Sequence, residues 1–176
     1  MPAITRIYLA GPGVFRPDAV VWGARLKAAC EWHGLQGLYP LDAAVPPFDG
    51  DAEKRRWIFR QNCGLIARAD AVFADVRAFR SESEPDSGTA FEIGAAFALG
   101  KPVWLWLPGV SRLTPMHGRI QNAQHFGHWV DAQGNVIEDF GAPLNLMLWE
   151  AAESVITDAE PEDAIQTLAR EVRVHR

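Results

Sequence analysis

Six residues able to bind or react crowd into the stretch from Asp75 to Glu92: Asp75, Asp86, Ser87, Gly88, Thr89 and Glu92. Two carboxyls with different surroundings can divide the work of nucleophile and proton handler, as Asp86 and Glu92 would if they faced one cavity. Plainer readings stand beside this one. Thr89-Ala90-Phe91-Glu92 matches the S/T-x-x-E capping box that ties down a helix start. Asp86, in a Ser/Glu/Pro/Asp/Ser/Gly loop, could be a turn former or an N-cap. Tyr8 ends the first apolar run, where a phenol can orient a carboxylate by donating to it or can simply pack. Gly11-Pro12-Gly13 brings backbone close to a ligand or makes a turn; it is not G-x-G-x-x-G and supports no dinucleotide. Cys30 and Cys63 stand apart with no C-x-x-C, arguing against a zinc site or disulfide framework and for a reducing cytoplasm. The five histidines are scattered and read as surface or packing residues.

The elements that would position these residues follow from periodicity. Residues 4–10, 71–76 and 102–107 are short β-rich apolar runs, and 38–41 a weaker one. Residues 18–33, 52–69 and 89–99 have helical length and spacing, the last stopped by Gly100. Strands alternating with helices imply parallel βαβ units. The expected fold is α/β, one domain over residues 1–176: an open parallel sheet with helices on both faces, Rossmann- or flavodoxin-like. A small hairpin is expected over 129–137 and two closing helices over 145–155 and 162–172. Ligands of such sheets bind beyond the carboxyl ends of the strands, where Tyr8, Gly11, Asp75 and the Asp86–Glu92 stretch fall. The helix carrying Glu92 is apolar on every other face, which predicts burial. Its N-terminus should help keep Glu92 ionised.

With 176 residues, 48% of them apolar, the chain can bury a core, and its net charge of −5 argues against a nucleic-acid groove. Arg170, Arg173 and Arg176 form a basic cluster best read as a solvated helix end. The apolar run near the N-terminus is too short for a signal peptide or membrane span. A partner should be small and nearly neutral, met in the cytoplasm.

Three motifs, in order, resemble one family. They are Ile7-Tyr8-Leu9-Ala10-Gly11-Pro12, Ala69-Asp70-Ala71-Val72-Phe73-Ala74-Asp75, and Asp86-Ser87-Gly88-Thr89-Ala90-Phe91-Glu92-Ile93-Gly94. With Glu138-Asp139-Phe140-Gly141 and Asn145-Leu146-Met147 they resemble the nucleoside 2-deoxyribosyltransferases over about residues 4–150. The resemblance implies Glu92 as the nucleophile that attacks C1′ and forms a covalent glycosyl-enzyme, and Tyr8 as its hydrogen-bond donor. It implies Asp86 as the carboxyl that contacts and helps protonate the base, with Gly11, Phe15, Asn62 and Gly88 lining the substrate. Asn145 would reach the neighbouring subunit's site to hold a 5′-hydroxyl, making the protein a homo-oligomer with shared sites. Nucleosides and nucleobases would be the partners, with no metal or cofactor. Some members have an aspartate where this chain has Asn62, which can pair with a base edge but cannot carry charge. No glutamine near Leu41-Asp42 offers to read the base. Hydrolysis, including that of deoxynucleoside 5′-monophosphates, and non-catalytic nucleotide sensing are the alternatives.

Overall fold

The computed structural model describes residues 3–175. Five parallel strands form the main sheet: β1 (Arg6–Ala10), β2 (Gln36–Leu38), β3 (Ala71–Asp75), β4 (Val103–Trp106) and β7 (Ser154–Ile156), in the order β2-β1-β3-β4-β7. The pair β5 (Gln124–His125) and β6 (Trp129–Val130) is antiparallel and separate. The helices are α1 (Ala19–Trp32), α2 (Asp51–Arg68), α3 (Ser87–Ala98), the single turn α4 (Leu146–Trp149) and α5 (Pro161–Val174). From β1 the chain winds outward to β2, then crosses back to the other side of β1 to make β3. That reversal puts a crevice at the carboxyl ends of β1 and β3, the usual ligand position in this architecture.

Alternation along each strand builds two cores. Ile7, Leu9, Phe73, Trp104 and Trp106 face α1 and α5 and meet Leu26, Cys30, Ile165 and Leu168. Tyr8, Ala10, Val72, Ala74, Val103 and Leu105 face α2 and α3 and meet Leu65, Ile66, Ile93 and Ala96. With a side-chain period of two, fixing Ile7 on one face sends Tyr8 to the other. The amino ends of β1 and β3 are joined by Asp70, which accepts from Arg6 N (2.8 Å), Arg6 Nη2 (2.6 Å) and Thr5 N (3.1 Å). The Arg6 guanidinium, chief among these donors, holds the Asp70 carboxyl well below the usual carboxylate range.

Three sequence expectations change. The second strand lies at Gln36–Leu38 rather than 38–41, because Tyr39 and Asp42 close a turn (Asp42 N to Tyr39 O 3.0 Å; Tyr39 N to Asp42 Oδ2 2.9 Å) around Pro40, which has no N–H for a ladder. The helix expected over 145–155 lasts only the turn α4, and Ser154–Ile156 becomes strand β7 instead. Backbone groups on the open side of β4 need partners, and the β-branched Val155 and Ile156 satisfy them. Finally, α3 is not buried all round: Ile93 and Ala96 are buried, whereas Phe91 and Phe97 are exposed. The 129–137 hairpin survives as a Val130–Val136 bridge, with β6 also pairing β5.

Gly11 ends β1 at φ 144°, a conformation that L side chains rarely adopt, and a Cβ there would lie 2.7 Å from Asp75 Cβ. Gly11→Ala should therefore cost about 1–3 kcal/mol of stability, read as a lower urea midpoint at unchanged slope. A variant as stable as wild type would show that the two strand ends can separate freely.

Candidate active site

Asp86 caps α3: its Oδ2 accepts from Thr89 N at 2.9 Å and from Thr89 Oγ1 at 3.2 Å. A Cβ at Gly88 would sit 2.9 Å from Asp86 Oδ2, so a larger residue there would push on the capping carboxylate. The Asp-x-Gly-Thr stretch is thus one device for starting a helix at Ser87. Because the helix starts there, Glu92 falls in its second turn and makes no capping box. Its side chain points across to β1 instead.

There Tyr8, fully buried, donates its hydroxyl to Glu92 Oε1 at 2.6 Å. Asn62 of α2 donates Nδ2 to the same oxygen at 3.4 Å. Among the described residues no donor reaches Oε2. Tyr8, Asn62 and Glu92 therefore meet from three separate elements, β1, α2 and α3. Burial pushes the Glu92 carboxyl up to about 7; the Asp86 charge adds to this, while the Tyr8 and Asn62 donors oppose it. The helix N-terminus was expected to favour the ionised form, but desolvation outweighs it at this depth. Burial first, then the Glu92 charge and hydrogen bond, raises the Tyr8 phenol far above its ordinary value, so it acts only as a donor.

The remaining expected site residues divide. Gly11 lies at the crevice against Asp75, and Phe15 stacks on Phe79 at 5.3 Å between centroids. Phe15, Gly13, Trp22, Asp75, Arg77 and Phe79 help line a cavity of about 150 Å³. Asp75 ends the unbroken apolar strand β3 and is one of the lining residues. Its buried carboxyl is raised by desolvation and partly restrained by Arg77, whose Nε lies 2.8 Å from both oxygens. Asn145 is not part of the Tyr8–Glu92 cluster. It caps α4, with Oδ1 accepting from Met147 N at 2.9 Å and Nδ2 donating to Glu138. Among the described residues no group of three or more His, Cys, Asp or Glu could hold a metal, and no helix is long and apolar enough to cross a membrane.

Residues 7–147 match the family described as nucleoside 2-deoxyribosyltransferase, a span that includes Tyr8, Asn62, Asp86 and Glu92. The chain belongs to that family. A 2-desoxiribosyltransferase from Leishmania mexicana is 31% identical, with a TM-score of 0.69 over 98% of this chain and 99% of its own. A 2-deoxyribosyltransferase from Bacillus psychrosaccharolyticus is 23% identical and shares the fold, with a TM-score of 0.56 over 88% of this chain and 87% of its own. An uncharacterized protein of Schizosaccharomyces pombe is 36% identical over 99 residues, 55% of this chain; the match spans about half of that curated relative, 47% of its length.

Proposed function

We propose that this nucleoside 2-deoxyribosyltransferase family member transfers the 2-deoxyribosyl group of a 2′-deoxyribonucleoside between nucleobases through an ester on Glu92. The observation that carries this reading is the asymmetric Glu92 carboxylate: Oε1 is held by Tyr8 and Asn62, and among the described residues Oε2 has no protein donor. Oε2 attacks C1′ as the C1′–N bond breaks, and its electron pair leaves with the base, which takes a proton from Asp86 or from water. Oε1 becomes the ester carbonyl and keeps its donors. A nitrogen of the second base then attacks C1′, the C1′–Oε2 bond breaks with its pair returning to Glu92, and that base gives its proton to Asp86 or to water, which restores the donor of the first step. Absence of a 2′-hydroxyl eases the oxocarbenium-like transition state, so the two half-reactions need no Lewis acid.

Asp86 suits the proton role by position. Its Oδ2 is occupied at Thr89, whereas Oδ1 has no protein partner among the described residues and is left to exchange a proton. We extend the reading to a homo-oligomer. The exposed Phe59–Phe91 pair, 5.8 Å between centroids, and exposed Phe97 and Leu99 form apolar surface on and beside the helices that carry Asn62 and Glu92.

The test incubates the protein with each common deoxynucleoside, with and without each free base, and follows the products. New deoxynucleosides that require the added base, with ping-pong kinetics, support transfer. Free deoxyribose at the same rate with or without a second base would replace transfer by hydrolysis. No product from any combination would sink both.

A further inference from the structure

Asn62 is neither a core filler nor a surface amide. Its Nδ2 faces Glu92 Oε1 at 3.4 Å, and its Oδ1 is a buried acceptor with no partner among the described residues. A buried carbonyl oxygen left without a donor costs stability. A leucine of similar size would avoid that cost, so the amide is explained by its N–H end, the end on the carboxylate. An aspartate here would offer Glu92 no N–H and would set a second negative charge beside it. Tyr8 and Asn62 thus make a paired-donor cradle, with both N–H and O–H directed to the one oxygen that does not attack.

Resting on the Glu92 reading above, we propose that Asn62 is a positioning residue for the second half-reaction: it stabilises the Glu92 carboxylate as a leaving group. In the ester, Oε1 is a neutral carbonyl and its hydrogen bonds are weak. When the C1′–Oε2 bond breaks, the electron pair returns to the carboxylate, charge spreads onto Oε1, and both donors strengthen. The same donors make the resting carboxylate less basic, which favours its ionised form and moderates its attack in the first half-reaction. The amide therefore shifts the balance toward release of the sugar to the acceptor base.

The experiment uses full-length wild type, Asn62→Leu and Asn62→Asp, following both half-reactions by rapid quench and the glycosyl-enzyme by intact mass. In both variants the second half-reaction is expected to slow about tenfold, the weak end of a hydrogen bond to a charged group at this distance. The glycosyl-enzyme should accumulate in the steady state, and the acid limb of kcat/KM should move to higher pH, further for Asn62→Asp. First-turnover rates at pH 9 should stay within a few-fold of wild type. Equal slowing of both half-reactions, or an unmoved acid limb with no build-up of adduct, would overturn the proposal. Turnover without any adduct in wild type and variants alike would instead remove the covalent reading on which it rests.

Discussion

Glu92→Gln should abolish turnover and at the same time yield a more stable protein above neutral pH. Glutamine keeps an oxygen for the Tyr8 hydroxyl but offers no anionic atom to C1′, so the ester cannot form. Loss of a nucleophile of this kind lowers kcat by about 10⁴-fold or more. The stability effect follows from linkage. The Glu92 carboxyl is raised from 4.5 to about 7 in the folded chain, mainly by burial. Between those values the folded state holds more proton than the unfolded state, so stability is lost as pH rises through that window. Above pH 7 the loss is complete, and a neutral glutamine does not incur it. The ceiling is about 3 kcal/mol at pH 8, vanishing below about pH 4.5. Urea unfolding of both proteins at pH 4.5 and pH 8 reads it directly. Midpoints that move in parallel would refute the buried, reluctantly ionised carboxylate, and residual turnover within a hundredfold of wild type would refute Glu92 as nucleophile. Wild-type kcat/KM should correspondingly rise with pH to a plateau above about 7.

Tyr8→Phe should have the next largest effect. The phenol supplies the shortest contact to Glu92, 2.6 Å to Oε1, from a fully buried site that water does not readily replace. A hydrogen bond to a charged group is worth about 1.5–3 kcal/mol, so kcat near pH 7 should fall about 10- to 100-fold. Without the donor the carboxyl is harder to ionise, and the acid limb of kcat/KM moves up in pH. At high pH the first half-reaction should recover, because a less stabilised carboxylate attacks well once formed. Release of the sugar should not recover, because the leaving carboxylate still lacks its donor. Measuring both phases at pH 7 and 9 tests this split. A uniform, pH-independent loss would mean that Tyr8 only packs.

Much of this arrangement could be read in advance. The run from Ala71 to Asp75, buried at every residue, announced a strand covered on both faces, and the alternation in Ile7-Tyr8-Leu9 carried the two-sided core. Ser154–Ile156 could not be read this way. Three residues are too few to display a period of two, and their strand character comes from the unpaired edge of β4. Phe91 and Phe97 misled in the opposite direction: an apolar side chain says that burial is favourable, but not that a neighbour in the same chain supplies it.

The sequence by itself determined the parallel α/β architecture, the family motifs, and the presence of Asp86 and Glu92 near a strand end. Residue spacing left open whether Glu92 capped its own helix or faced a ligand, because both readings use the same S/T-x-x-E letters. Tertiary structure excluded the cap for Glu92. Asp86 took the cap and set the helix start at Ser87, which turned Glu92 toward Tyr8 on β1 and Asn62 on α2. Neither the two donors on one oxygen nor the displaced ionisation is a local property. Both arise from residues 30 and 84 positions away along the chain, brought into one desolvated volume where burial outweighs the helix dipole.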